Sequence, residues 1–340
     1  MSLSAAIRKV AYHLPATKLT NDDLAREYGD WDVSKIYEKT GINVRAVAGP
    51  DECASDLGVA AARKLFEASD LTAENVDYLI FCTQSPDYFL PATACVMQHS
   101  LGLPTHCAAI DINQGCSGFV YGLSLAKALV ESHIARNVLL ITADTYTRYI
   151  HPGDRSVRTI FGDAGAATWI SGVESNEVLI GPFTLGTDGR GAENLIVRAG
   201  GARTPLTDSA REVKTDEAGN TRCDANLYMN GPEIFTFTLR QVPAAVRDLL
   251  GRASIGMEQV DYFVFHQANR FMLEQLRRKI GIASEKFCIN LESVGNTVSS
   301  TIPIALQSAI DAGTVAAGSK VMLVGFGVGY SWGATMIQVI

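Results

Sequence analysis

Asn75-Val76-Asp77-Tyr78-Leu79-Ile80-Phe81 returns 184 positions later as Gln259-Val260-Asp261-Tyr262-Phe263-Val264-Phe265. A second pair, Asn137-Val138-Leu139-Leu140-Ile141 and Lys320-Val321-Met322-Leu323-Val324, repeats at an offset of 183. Each copy is a short, continuous apolar run, the pattern of a strand covered on both faces. Two echoes at nearly one spacing predict two similar α/β halves, residues 1–174 and 175–340, joined near Gly172–Asn176.

Outward from these runs, strands are expected at Val76–Thr83, Ala108–Asn113, Val138–Ala143, Gly165–Ile170, Glu177–Gly181, Val260–His266 and Val321–Gly325. Amphipathic stretches predict helices over Ala54–Ser69, Ser117–Ser132, Phe235–Arg252, Arg270–Gly281 and Thr301–Ala312. Residues 186–231, rich in Gly, Asp, Arg and Thr, read as a cap or insertion on the second half.

The chain has 340 residues, 47% of them hydrophobic, and a formal net charge of −7. No concentrated basic face stands out, so a nucleic-acid partner is not expected. No run of 18 apolar residues and no apolar signal core appear, so neither a membrane span nor secretion is expected. Seven cysteines without a C-x-x-C pair fit reduced thiols in a cytoplasmic protein, with no metal site.

In open α/β sheets, ligands bind beyond the carboxyl ends of strands. Three unusual segments occupy such ends: Gln114–Gly118, His266–Asn269 and Gly295–Thr297. Cys116 lies in Gln114-Gly115-Cys116-Ser117-Gly118, between an apolar strand and a helix, where glycines permit a tight turn. A helix N-terminus there would lower its pKa and make it a nucleophile. The other six cysteines read as small buried hydrophobes. His266 closes its strand, where a neutral imidazole can donate or accept a hydrogen bond, although a structural histidine would read the same way. Asn296 follows Gly295 in a segment that is also an ordinary turn sequence, and its pairing with the other two makes it informative. Gly325-Phe326-Gly327-Val328-Gly329 can bring backbone N–H groups close to a ligand, which suits an oxyanion hole. It is no dinucleotide fingerprint, because the residues after Trp332 read as another strand.

Together these segments resemble the β-ketoacyl-acyl carrier protein synthase III family of the thiolase superfamily. The resemblance runs from Leu19-Thr20-Asn21-Asp22-Asp23-Leu24 and Lys39-Thr40-Gly41-Ile42 through Phe161-Gly162-Asp163-Ala164-Gly165-Ala166 to Trp332-Gly333. It implies a duplicated five-layer α-β-α-β-α sandwich, a homodimer and a Cys116-His266-Asn296 active site. The backbone N–H groups of Cys116 and Val328 would form the oxyanion hole. The implied reaction is decarboxylative condensation of an acyl-coenzyme A with malonyl-acyl carrier protein through an acyl-cysteine, needing no cofactor. Thiolases that abstract a proton from acetyl-coenzyme A carry a second cysteine in the C-terminal glycine block, and Gly325–Gly329 has none.

By the same resemblance, Arg155, Gly231, Asn269 and Lys39 would contact coenzyme A. Lys35 and Lys39 stand where the family has a tryptophan and an arginine, and Trp31 is out of register. Leu90, with Phe326, would line the acyl pocket, replacing a phenylalanine that reaches across the dimer. Arg270, Arg277, Arg278 and Lys279 would offer carrier-protein docking, with Phe271 at the usual arginine site. An acyltransferase passing the acyl group to an alcohol or amine, and a catalytically silent scaffold, remain alternatives at this stage.

Overall fold

The structure, a computed structural model, describes residues 2–29 and 32–340; Trp31 lies outside the described residues. The repeat of the sequence is a repeat of the fold. The first sheet contains β1 (Ser2–His13), β2 (Tyr78–Cys82), β3 (Ala108–Ile112), β4 (Asn137–Asp144) and β5 (Ala164–Ser175), in the spatial order β1-β5-β4-β2-β3. The second contains β6 (Ile180–Thr187), β7 (Tyr262–Phe265), β8 (Lys320–Gly327) and β9 (Ser331–Gln338), in the order β6-β9-β8-β7. A parallel bridge from Phe263 to Phe287 stands where the first sheet has β3. Directions agree as well: β2 and β4 are parallel with Tyr78 opposite Val138, and β7 and β8 are parallel with Tyr262 opposite Val321.

Helices cover both faces, which is why the echoed runs are apolar without alternation. α1 (Ala54–Glu67) packs outside the first sheet on β1, β4 and β5. α3 (Gly231–Ala253) packs outside the second on β6, β8 and β9, with α4 (Arg270–Ile280) beside it. Between the sheets lie α2 (Gly118–Glu131) and α5 (Thr301–Asp311), touching both. Phe119, Val120 and Leu123 of α2 and Ile302, Ala305 and Leu306 of α5 share one buried cluster with strand residues of both halves. The result is five layers, α-β-α-β-α.

The chain passes between the sheets over residues 176–179. The strand expected at Glu177–Gly181 begins at Ile180 and continues to Thr187, because Glu177 turns onto the Ser175 hydroxyl and leaves the ladder to the residues after it. β1 carried no expectation: its fully buried residues, Ala5 and Ala6, are too small to write a hydrophobic pattern. Residues 186–231 form two small ribbons, Leu195–Val197 with Leu227–Met229 and Lys214–Thr215 with Thr221–Arg222. Among the described residues, no helix is long and apolar enough to cross a membrane.

Candidate active site

The carboxyl ends of β2, β3, β4, β7 and β8 converge on one buried spot. The turn from β3 into α2 carries Cys116, which is 4% exposed. That turn is held from the other half: the Ser117 and Ser331 hydroxyls lie 2.7 Å apart, and Ser331 Oγ donates to the Val328 carbonyl at 2.8 Å. β8 passes so closely that a Cβ on Gly325 would sit 2.8 Å from the Cys116 carbonyl oxygen, and one on Gly327 would sit 3.0 Å from Cys116 Sγ. Only glycine allows this approach. The backbone N–H groups of Cys116 and Val328 both reach the sulfur.

The thiol is not the acidic group that its helix N-terminus predicts. Burial, with the nearby Asp144 carboxylate adding repulsion, pushes Cys116 up to about 12 despite the two N–H groups. Asp144, at the end of β4, is itself fully buried, and burial raises it to about 7. Its carboxylate accepts from the Gln84 N–H at 2.8 Å and from the Ser299 hydroxyl. The thiol therefore rests protonated, and a nucleophilic role would require its proton to leave as it attacks.

His266 follows β7 and donates its backbone N–H to Val324 at 2.8 Å. Its ring is buried, stands edge-on to Phe326 at 5.4 Å, and has Nδ1 2.7 Å from Thr301 Oγ1. Burial drives its pKa down to about 3, so the imidazole is neutral. Asn296, also buried, is pinned by both halves: its N–H donates to Ile160 O and its carbonyl accepts from Gly162. Nδ2 approaches the Ala268 carbonyl at 3.4 Å, and Oδ1 accepts from the Val298 N–H at 3.0 Å. The loop is folded sharply, with Gly295 at φ 78° and Val298 at φ 55°. Left-handed backbone at a β-branched residue is costly and marks a conformation enforced by its surroundings. Thus Cys116 abuts Gly327, the adjacent Phe326 abuts the His266 ring, and the Asn296 amide reaches the carbonyl of Ala268, two residues beyond His266.

The remaining expected residues lie on other elements. Phe326 is buried between the His266 ring and the core, so it serves as a wall for the imidazole. Arg155 stacks over the Tyr28 ring at 4.7 Å. Gly231 begins α3, Asn269 caps α4 by accepting from Met272 N–H at 2.8 Å, and Lys39 is exposed on the helix Val33–Thr40. Leu90 is 82% exposed beside Phe89 at 92% and Tyr88 at 61%, so within one chain it belongs to the outer surface rather than to the site. Two of the four basic residues expected for docking are turned inward. Arg277 binds Glu274 and the Ile282 carbonyl, and Arg270 binds the Tyr37 hydroxyl and stacks on its ring. Arg278 and Lys279 stay exposed.

Sequence reasoning missed three residues that shape the site. Arg45, fully buried, donates to the Thr159 carbonyl at 2.8 Å and abuts Gly295, bracing the asparagine loop. Asp144 could have been flagged as an acid ending a buried apolar strand. Tyr146, whose hydroxyl donates to Gln84 Oε1 beside Gly115, carried no local signal.

A duplicated five-layer sandwich whose halves meet around a buried cysteine, histidine and asparagine defines a thiolase-fold protein with a candidate thiol nucleophile. Family models for 3-oxoacyl-[acyl-carrier-protein] synthase III match residues 110–189, and for its C-terminal region residues 250–339. The chain belongs to the 3-oxoacyl-[acyl-carrier-protein] synthase III family. Beta-ketoacyl-[acyl-carrier-protein] synthase III of Caldanaerobacter subterraneus subsp. tengcongensis is 34% identical, covering 99% of this chain and 98% of its own. A crystal structure of a 3-oxoacyl-(acyl-carrier-protein) synthase III aligns at 53% identity and TM-score 0.98, over 98% of this chain and 99% of its own. The 3-oxoacyl-(acyl-carrier protein) synthase of Burkholderia xenovorans LB400 aligns at 37% identity and TM-score 0.91, over 99% and 95%.

Proposed function

We propose that the protein condenses an acyl-coenzyme A with malonyl-acyl carrier protein, losing carbon dioxide and releasing a β-ketoacyl-carrier protein. The observation that carries this reading is a neutral, buried imidazole next to a buried thiol, with an asparagine amide alongside. The N-terminal half supplies the nucleophile and the C-terminal half supplies His266 and Asn296. In the first stage Cys116 Sγ attacks the thioester carbon, and the N–H groups of Cys116 and Val328 stabilise the tetrahedral oxyanion. The Cys116–acyl bond forms, the coenzyme A carbon–sulfur bond breaks, and the thiol proton leaves with coenzyme A. In the second stage the malonyl thioester loses carbon dioxide. His266 Nε2 and Asn296 Nδ2 donate to the enolate oxygen, and its carbon displaces Cys116. A neutral imidazole fits this task, since it stabilises developing charge without an imidazolium to trap it. Cys116 leaves as a thiolate and takes up one proton from solvent, and with it the two stages balance with no metal or redox cofactor.

Arg155, Lys39, Gly231 and Asn269 are assigned to coenzyme A, and Arg278 and Lys279 to an acidic carrier protein. We assign a homodimer to the free edge of β3 and the neighbouring Tyr88-Phe89-Leu90 tip, an open sheet edge beside exposed apolar side chains. Leu90 would then close the partner's acyl pocket. Seven free cysteines suit a reducing cytoplasm.

Incubation with acetyl-coenzyme A and malonyl-carrier protein, followed by intact mass and carbon dioxide release, tests the reading. The expected result is an acyl adduct on Cys116 and carbon dioxide on adding the malonyl thioester. An adduct without carbon dioxide would establish the transferase alternative, and no adduct would establish a silent scaffold.

A further inference from the structure

The mechanism needs a proton on His266 Nε2, and a neutral imidazole has only one N–H to place. Its position is set at the far side of the ring. Nδ1 lies 2.7 Å from Thr301 Oγ1, in a contact buried from water. The Thr301 hydroxyl has one proton and a second acceptor in reach, the Val298 carbonyl at 3.0 Å. That carbonyl already accepts the backbone N–H of Thr301. If the hydroxyl donates to the carbonyl, Nδ1 must carry the ring proton and Nε2 presents a bare lone pair. If it donates to Nδ1, the carbonyl keeps its backbone partner and the ring proton stands on Nε2. Both arrangements use the 2.7 Å contact and leave neither group unpaired, so the choice falls to Nε2, which the condensation reading requires to carry the proton.

The mirror position sharpens the point. Cys82 and Gly118 of the first half correspond to His266 and Thr301 of the second, at offsets of 184 and 183. Cys82 Sγ lies 2.3 Å from where a Cβ on Gly118 would be. The duplicated crossing thus has no side chain in one half, and a hydroxyl aimed at the imidazole in the other. We propose that Thr301 is a positioning residue that fixes the tautomer of His266, donating its hydroxyl to Nδ1 and thereby holding the ring proton on Nε2. The choice of tautomer rests on the condensation reading, and the NMR measurement decides it without turnover.

The test is nitrogen NMR of the histidine-labelled protein, paired with kinetics. The wild type is expected to show the proton on Nε2. Thr301→Val, which keeps shape but removes the hydroxyl, is expected to move the proton to Nδ1, toward the Val298 carbonyl. Malonyl decarboxylation should then fall about 100-fold, the scale of misassigned acid–base function, while Cys116 acylation changes less than about twofold. Thr301→Ser, which restores the hydroxyl, should recover the Nε2 proton and most of the rate. A wild-type proton on Nδ1, or a Thr301→Val protein that keeps the Nε2 proton and full decarboxylation, would overturn the proposal. A wild type that releases no carbon dioxide would instead sink the condensation reading, and the NMR result would still decide the role of Thr301.

Discussion

β4 and β8 hold the same place in the two halves and end on Asp144 and Gly327, while the central helices α2 and α5 are each entered through mates 183 residues apart, Cys116 and Ser299. Each entry residue meets the strand end of the opposite half. At one crossing the Ser299 hydroxyl and N–H bind the Asp144 carboxylate. At the other, Cys116 faces the bare backbone of Gly327. One backbone crossing therefore serves once as a polar clamp and once as the proposed reaction site. The reactive copy differs by what has been removed: with no side chain at position 327, two backbone N–H groups and an acyl carbonyl can share the space around sulfur.

Making the two crossings alike should break function. The largest effect is expected from Cys116→Ser, which copies the Ser299 residue type into the reactive crossing. An unactivated hydroxyl is a far weaker nucleophile than a thiol, so acyl-adduct formation should fall by about a thousandfold or more. Rates followed by intact mass check this, and residual acylation near wild type would mean that sulfur is not the attacking atom. Next comes His266→Ala, which removes the imidazole whose mate in the first half is Cys82. Carbon dioxide release should fall about 100- to 1,000-fold, the cost of losing one donor to a developing oxyanion, with acylation nearly unchanged. Equal loss in both stages would make His266 the base that deprotonates Cys116.

A smaller loss is expected from Gly327→Ala. Its methyl would stand 3.0 Å from Cys116 Sγ and equally close to Cys116 Cβ. Contacts this tight force a shift in a packed interior. About tenfold slower acylation is expected, since sub-ångström displacement of a nucleophile is costly. Acylation at the wild-type rate would mean that the glycine serves the fold and not the approach of the thioester.

How much of this was legible follows from which elements write patterns. The echoed strands were readable because burial on both faces demands unbroken apolar runs, and Cys116, His266 and Asn296 because glycines and a strand end frame them. The crossing itself was not readable. Ser299 and Asp144 are an ordinary serine and aspartate 155 residues apart, and only folding makes them partners. The thiol's pKa was misjudged for the same reason. A helix N-terminus is visible in sequence, whereas the burial and the carboxylate that outweigh it are tertiary. Arg277 misled because a basic helix face looks alike whether its side chains point outward or fold onto Glu274.

The clamp has its own signature, in folding rather than in rate. Burial raises Asp144 from 3.8 to about 7, so the folded state holds a proton that the unfolded chain releases at much lower pH. Its contribution is fully favourable below about pH 4 and is lost as pH rises to about 7, where the carboxylate must ionise without water. Asp163, pushed to about 6 by burial, acts in the same direction. Asp144→Asn cannot ionise and keeps an acceptor for the Gln84 N–H. Its urea midpoint should therefore lose less, relative to the wild type, between pH 5 and pH 8, with the slope left by Asp163 and the opposite slope of His266, whose pKa burial lowers, remaining in both. Parallel curves would mean that the Ser299 bond keeps Asp144 ionised throughout. The carboxylate beside Cys116 would then be a standing charge, and the polar crossing would repel the thiolate at every pH at which the enzyme works.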